Sequence, residues 1–246
     1  MATQELLNNN DHRDLKIITK RSADLGEDVS YVYTFPLEFK SIQAHYPIVF
    51  RKDTTTAAAL FPVALLGFED GENLFLEHEQ WNANYVPCMF ERQPFSIARQ
   101  SVNIDGEKSL QSAVCIDVAS PRVNKTEGQS IFLEFGGNSA YLEKVVAMLE
   151  AIEFGNEHNQ KFVAQLRELD LLESLSVEVE LKNGSQHSLF GYYTINEDKL
   201  AQLNGASLEK LHANGFLQFI YMIIASQVHF RDLIELKNKK ITAAQQ

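Results

Sequence analysis

Near residue 136 the apolar residues of this 246-residue chain change period, and that change limits the folds open to it. Before it, short β-branched and aromatic runs alternate with turn residues. Val29–Phe35 (VSYVYTF), Pro47–Phe50, Asn73–Leu76, Ser112–Val118 and Ile131–Phe135 each read as strands. Pro36 opens a helical turn through Phe39 and Ile42, and Glu69–Glu72 reads as a turn. Ala57–Phe68 is an apolar run interrupted by Pro62, which suits a strand buried on both faces with the proline at an edge or a bulge. After Gly136-Gly137, Leu142, Val145, Val146, Leu149 and Ile152 recur at helical spacing, with Asn138 as N-cap and Gly155 as the stop. Phe162, Leu166 and Leu169 predict a second helix. Leu175, Val177, Val179 and Leu181 then alternate with polar residues and run into Asn183-Gly184. That is a hairpin signal, and a two-residue loop pairs Glu180 with His187 and Val177 with Phe190. Asn196 and Ser207 read as helix N-caps, and Gly215 separates two further helices.

The class is therefore α+β, a strand-rich N-terminal half and a helix-rich C-terminal half with a β-hairpin, expected to share one core. Residues 1–14 are polar and aperiodic and are expected to form a mobile tail, leaving a single domain over residues 15–246. Lysine and arginine number 22 against 33 aspartates and glutamates, a formal charge of −11 that repels nucleic acid unless a basic groove intervenes. The densest basic stretch, Lys237-Asn238-Lys239-Lys240, reads as a solvated helix end whose cations suit the helix dipole. Gly215–Phe230 is uncharged but carries Gln218, Ser226, Gln227 and His229, and it falls short of the ~20 apolar residues a spanning helix needs. It predicts a buried helix and no membrane span. The opening residues lack a basic stretch followed by an apolar one, so no secretory leader is expected. Cys88 and Cys115 have no metal-ligand spacing and read as small buried hydrophobes, which fits a cytoplasmic location.

The densest candidate for chemistry is Trp81–Phe95 (WNANYVPCMFERQPF), which holds the only tryptophan, Tyr85, two phenylalanines, two prolines and Arg92. Aromatic walls with one guanidinium suit a pocket for an apolar or carboxylate-bearing ligand, or a patch that docks a protein. Trp81, Tyr85, Arg92 and Phe95 are the candidate binding residues, and the competing reading is that these aromatics are packed core. Other motifs are weaker. His12-Arg13-Asp14 matches half of a 2-His-1-carboxylate iron site, but it lies in the expected tail and lacks a defined second histidine. His78 lies between Glu77 and Glu79, whose side chains leave a strand on the opposite face. His187 is expected to face outward beside Glu180 rather than to ligate a metal. Gly136-Gly137-Asn138 reads as a turn and cap rather than a nucleotide loop. No metal, no cofactor and no catalytic residue is assigned.

A series of short motifs in order resembles the SapC family of bacterial proteins. It begins with Phe35-Pro36-Leu37-Glu38-Phe39 and His45-Tyr46-Pro47-Ile48-Val49-Phe50, then Phe61–Gly67, Glu72–Leu76, Trp81–Pro87, Arg92–Phe95 and Cys115-Ile116-Asp117. It continues through the hairpin ending in Gly191-Tyr192 and Asn196–Leu203, and covers roughly residues 29 to 236. Where the family usually has two arginines and an aromatic before Pro-Phe, this chain has Glu91-Arg92-Gln93, which weakens any paired-arginine anion clamp. The resemblance implies no catalytic residues. It implies association with a bacterial surface layer, and partners linked to tryptophan-halogenase-like, iron/2-oxoglutarate-type or TonB-dependent systems. The expected function is that of a non-catalytic accessory or binding protein, using the aromatic block to hold a protein partner or small ligand. The alternatives are a metal-dependent oxidoreductase of iron/2-oxoglutarate type and a surface-layer-associated protein.

Overall fold

The structure is a computed structural model that describes residues 3–52, 60–77, 79–104 and 107–243, with side chains described outside 100–111. Along the chain the strands are β1 (Gln4–Leu6), β2 (Lys16–Ile17), β3 (Tyr31–Tyr33), β4 (Ile48–Lys52), β5 (Leu60–Leu65), β6 (Leu76–Glu77), β7 (Gln80–Trp81), β8 (Phe95–Ile104), β9 (Glu107–Asp117), β10 (Val123–Asn124), β11 (Gln129–Ser130), β12 (Leu172–Glu180) and β13 (Gln186–Ile195). The helices are α1 (Phe39–Ile42), α2 (Cys88–Glu91), α3 (Ala140–Glu168), α4 (Glu197–Ala201), α5 (Gly205–Ala213), α6 (Phe216–Ser226) and α7 (His229–Ala243). Antiparallel strands dominate the first half and helices the second, so the chain is α+β. Contacts gather it into two compact units, residues 1–27 with 88–154 and residues 28–87 with 155–246.

In the first unit, β1 and β8 flank β9, while β10 and β11 flank β2. Leu6 of β1 pairs with Cys115, and His12 is buried, so the segment expected to form a tail carries defined contacts. Ile17, Phe95, Ile116, Ile131, Leu142, Val145 and Leu149 form the hydrophobic cluster of this unit. The strand predicted over Ile131–Phe135 is instead a tight reversal. Leu133 N–H donates to Gly137 O (3.0 Å), Gly136 N–H donates to Leu133 O (3.1 Å), and Phe135 projects fully exposed. The reversal moves the cap by one residue: Ser139 Oγ, not Asn138, accepts from Leu142 N–H (3.2 Å).

The second unit is built on a five-stranded antiparallel sheet in the order β12-β13-β4-β5-β3. Residues 57–59 of the predicted apolar strand lie outside the described residues, and the remainder supplies β5. That strand is internal, not an edge. Pro62 is tolerated because pairing with β3 runs no further than Tyr33 opposite Val63, and Thr34 N–H then donates to Pro62 O (3.1 Å). The missing proline N–H thus falls where the neighbour ends. Phe39 meets Phe162 and Phe219 edge-on, and Phe50 and Phe216 complete an aromatic core around Phe162. The apolar helix α6 buries Phe216, Phe219, Ile220 and Ile223. Its end is fixed to β4: buried Ser226 Oγ accepts from Ile48 N–H (2.9 Å), and Gln227 Nε2 donates to Ile48 O (2.8 Å). No helix among the described residues is long and apolar enough to cross a membrane.

Three local expectations change for physical reasons. Gly155 does not stop a helix, because α3 runs unbroken from Ala140 to Glu168. A Cβ on Gly155 would lie 2.3 Å from Phe35 Cδ2, so glycine is required by a neighbouring ring. The hairpin loop has three residues: Leu181 N–H donates to Ser185 O and Gly184 N–H to Leu181 O (both 2.9 Å), with Gly184 left-handed at φ +81°. Val179 therefore faces His187, and Glu180 faces Gln186. Further along, Phe190 and Gly191 (φ +80°) together oppose Ser176, a β-bulge that exposes Phe190 and turns both Leu189 and Tyr192 inward. Asn204, not Ser207, caps α5 by accepting from Ser207 N–H (2.9 Å), whereas Asn196 caps α4 as expected.

The basic stretch is solvated only in part: Lys239 and Lys240 are exposed, whereas Lys237 and Asn238 are not. Lys237 is buried and pairs with Glu72 (2.6 Å) and Glu69 (3.4 Å), and Lys240 donates to Asn73 O (2.7 Å). Burial pulls the Lys237 ammonium down, but the hydrogen bond and charge of Glu72, joined by Glu69, outweigh it and leave its pKa raised. Buried Asn238 accepts from Lys182 N–H (2.9 Å), tying α7 to the hairpin loop.

Candidate functional site

Trp81 ends β7, which returns antiparallel to β6 with Leu76 opposite Trp81. Asn82 N–H donates to Phe75 O (2.7 Å), and the indole stacks on Phe75 at 6.2 Å and 12°. The turn before it includes Glu79 at φ +60°. His78, weighed as a metal ligand, lies outside the described residues.

The indole Nε1–H donates to Tyr46 Oη (2.7 Å), and the Tyr46 hydroxyl donates in turn to Tyr85 O. The Tyr85 hydroxyl donates to Glu38 Oε1 (3.0 Å), and Thr34 Oγ1 donates to Glu38 Oε2 (2.7 Å). Hydrogen bonds therefore link the half-buried indole to Tyr46 and the Tyr85 backbone, and the Tyr85 side chain to a buried carboxylate, with the Tyr46 hydroxyl both accepting and donating. Burial pushes the fully buried Tyr46 hydroxyl well above the usual phenol range, against the Trp81 hydrogen bond and with help from the Glu38 charge. Tyr33 is pushed up to about 12 by burial, countered by a hydrogen bond from Asn159 and aided by Glu38. This is a rigid mount for Trp81, and it depends on Tyr46, which lies 35 residues earlier.

The indole lines a cleft of about 540 Å³ together with His45, Phe75, Asn82, His229 and Lys239, among others. His229 is fixed at both ring nitrogens, Nδ1 to Asp232 Oδ2 (2.6 Å) and Nε2 to Gln43 O (3.0 Å). Burial and the neighbouring His229 both push the His45 imidazole below its ordinary pKa, so it presents a neutral ring. The cleft thus offers an aromatic wall, an amide, a neutral imidazole and the ammonium of exposed Lys239.

The four candidate binding residues fall in different units. Trp81 and Tyr85 belong to the second, Arg92 and Phe95 to the first. Trp81 lines the cleft, and Tyr85 supports it from behind through its carbonyl and hydroxyl. Phe95 is fully buried in the hydrophobic cluster of the first unit. Arg92 Nη1 donates to Phe95 O (2.7 Å), and burial lowers the guanidinium pKa. Arg92 borders a separate cleft of about 400 Å³ with Gln4, Gln93 and Asp117.

The residues around Arg92 belong to a charged network that sequence analysis missed. Glu27, fully buried, accepts from Arg21 Nη1 (2.7 Å), Arg122 Nη2 (2.5 Å) and Ser22 N–H (3.1 Å). Arg122 also donates to Gln93 Oε1, Ile18 O and Lys20 O, and Arg21 reaches Glu91. Glu91 and Gln93, which stand where the family pattern differs, are each bound to an arginine from elsewhere in the chain. Burial pulls the Arg122 pKa down, with the Glu27 charge opposing. Nothing in the local sequence marks Arg122, because its partners are about 30 to 100 residues away.

His12, weighed for an iron site, has Nε2 on Glu5 (3.1 Å) and Nδ1 on the Asn8 backbone. His187 pairs with Glu69 (3.1 Å) beside Phe68, not with Glu180, because the three-residue loop moves its register. Among the described residues no group of three or more His, Cys, Asp or Glu side chains is placed to hold a metal ion. Cys88 and Cys115 are free thiols, the second buried.

A family model described as SapC matches residues 7–233. No curated protein and no solved structure matches the chain.

Proposed function

This chain belongs to the SapC family, and from that premise we propose that it is a non-catalytic binding protein whose recognition element is the Trp81 cleft. The observation that carries the reading is the mounting of Trp81. Its N–H is taken by Tyr46, one face is supported by Phe75, and the side chain still lines an open cleft. An aromatic held this way loses little further freedom on binding, which is what recognition of an apolar or planar group requires. Several titratable groups near it serve structure: Glu38 anchors Tyr85 and Thr34, and Asp232 with Gln43 fixes His229. That supports binding over turnover. The occupant is a small ligand or a segment of a partner protein. The two free cysteines support residence in the cytoplasm.

Trp81 is the only tryptophan, so its emission reports on this cleft alone. Partners captured from cell extract by the wild-type protein should be lost with Trp81→Ala of unchanged circular dichroism. Adding a captured partner to the wild type should shield the indole from acrylamide quenching. Undiminished capture by the folded variant, with no change in quenching, would refute the assignment.

A further inference from the structure

The outer edge of β12 is the last position in the five-stranded sheet, and no strand among the described residues lies beyond it. The direction of its backbone groups follows from the two ends of the hairpin. Leu181 N–H donates to Ser185 O, and Leu171 O accepts from Asn196 N–H (both 2.9 Å), so odd-numbered residues turn toward β13 at both ends. The bulge lies in β13, which leaves the alternation along β12 unbroken. In an antiparallel ladder the intervening residues must then direct their N–H and C=O groups outward. These are Leu172, Ser174, Ser176, Glu178 and Glu180, and all but Leu172 are exposed. Leu175, Val177 and Val179 occupy the other face, half-buried or buried.

We infer that this edge docks an extended polypeptide segment that alternates basic and apolar residues and adds to the sheet as a sixth strand. No proline interrupts the nine residues of β12, and the five that turn outward present a row of donors and acceptors. The face carrying Glu178 and Glu180 selects cations, and the face of Leu175 and Val177 accepts apolar side chains. A second copy paired antiparallel in a register centred on residues 178–180 would set these carboxylates opposite one another, which disfavours self-pairing there, whereas cationic side chains complement them in any register.

The test uses the full chain and a dye-labelled heptapeptide alternating lysine and valine, read by fluorescence anisotropy. A peptide of the same composition with its lysines and valines in two blocks is the control. The alternating peptide should bind at least about tenfold more tightly than the block peptide, because only it matches both faces in register. The double variant Glu178→Lys/Glu180→Lys should lose about tenfold in affinity for it. Ser174→Pro removes an outward N–H without touching the β13 ladder and should also weaken binding. Equal affinity for the two peptides, unchanged affinity in the charge-reversed variant, or no binding at millimolar peptide overturns the inference. If Ser174→Pro does not fold, the charge-reversed variant, altered only at exposed side chains, decides.

Discussion

Replacing Gly155 by alanine sets two effects of opposite sign against each other. In an ordinary helix interior the change stabilises by about 0.8–1.0 kcal/mol, since glycine loses more backbone entropy. Here the new Cβ would stand 2.3 Å from Phe35 Cδ2, 2.7 Å from Cγ and 2.9 Å from Cε2. Phe35 is 2% exposed and has little room to withdraw. Overpacking of this kind costs about 1–3 kcal/mol, and three ring atoms inside contact distance place it toward the upper end. The expected net effect is a loss of about 1–2 kcal/mol, or about 2–8 °C in Tm for a chain of this size. Urea denaturation followed by far-ultraviolet circular dichroism measures it. A double-mutant cycle with Phe35→Leu should recover part of the loss, because the smaller side chain vacates the volume the methyl needs. If Gly155→Ala raises stability, helix propensity governs the site and the packing argument is wrong.

Two further outcomes follow from the buried polar groups. Glu27→Ala leaves the guanidinium of Arg122 buried without its carboxylate and should destabilise the protein by about 3–5 kcal/mol in chemical denaturation; a loss below about 1 kcal/mol would refute a structural role for the network. Tyr33 and Tyr141 are both pushed up to about 12, chiefly by burial, so the folded chain keeps two protons that the unfolded chain releases from about pH 10. The folded state then binds more protons, and stability should fall as pH rises from about 10 to about 12. Urea midpoints that stay level across that window would contradict it.

Features written in neighbouring residues were legible in the sequence. The turn at Phe39–Ile42, the cap at Asn196 and the break at Gly215 rest on local backbone preference, and the structure has each of them. The hairpin was legible in place but not in register. Asn183-Gly184 suits a two-residue loop, whereas Gly184 serves as the left-handed third residue of a longer one, and Gly191 adds a bulge. Distant partners were not legible. Gly155 read as a stop because the ring that demands it belongs to Phe35, and Lys237 read as solvated because Glu72 lies 165 residues earlier. The site shows the same limit. Trp81 stood out by composition, but nothing in the motif around Tyr46 marked its hydroxyl as the group that orients the indole 35 residues later.

The division of the chain bears on how it is made. Each compact unit takes one early and one late stretch, so no single cut separates the two units. During synthesis from the N-terminus, residues 1–27 await a partner segment that starts at residue 88, and β3, β4 and β5 emerge well before β13, the strand that pairs with β4. The strand edge of β4 is therefore open on the nascent chain until Tyr192 and Tyr193, which pair with Arg51 and Phe50, have been made. That interval is when an unassembled sheet is most exposed to wrong pairing, and when a chaperone would engage it.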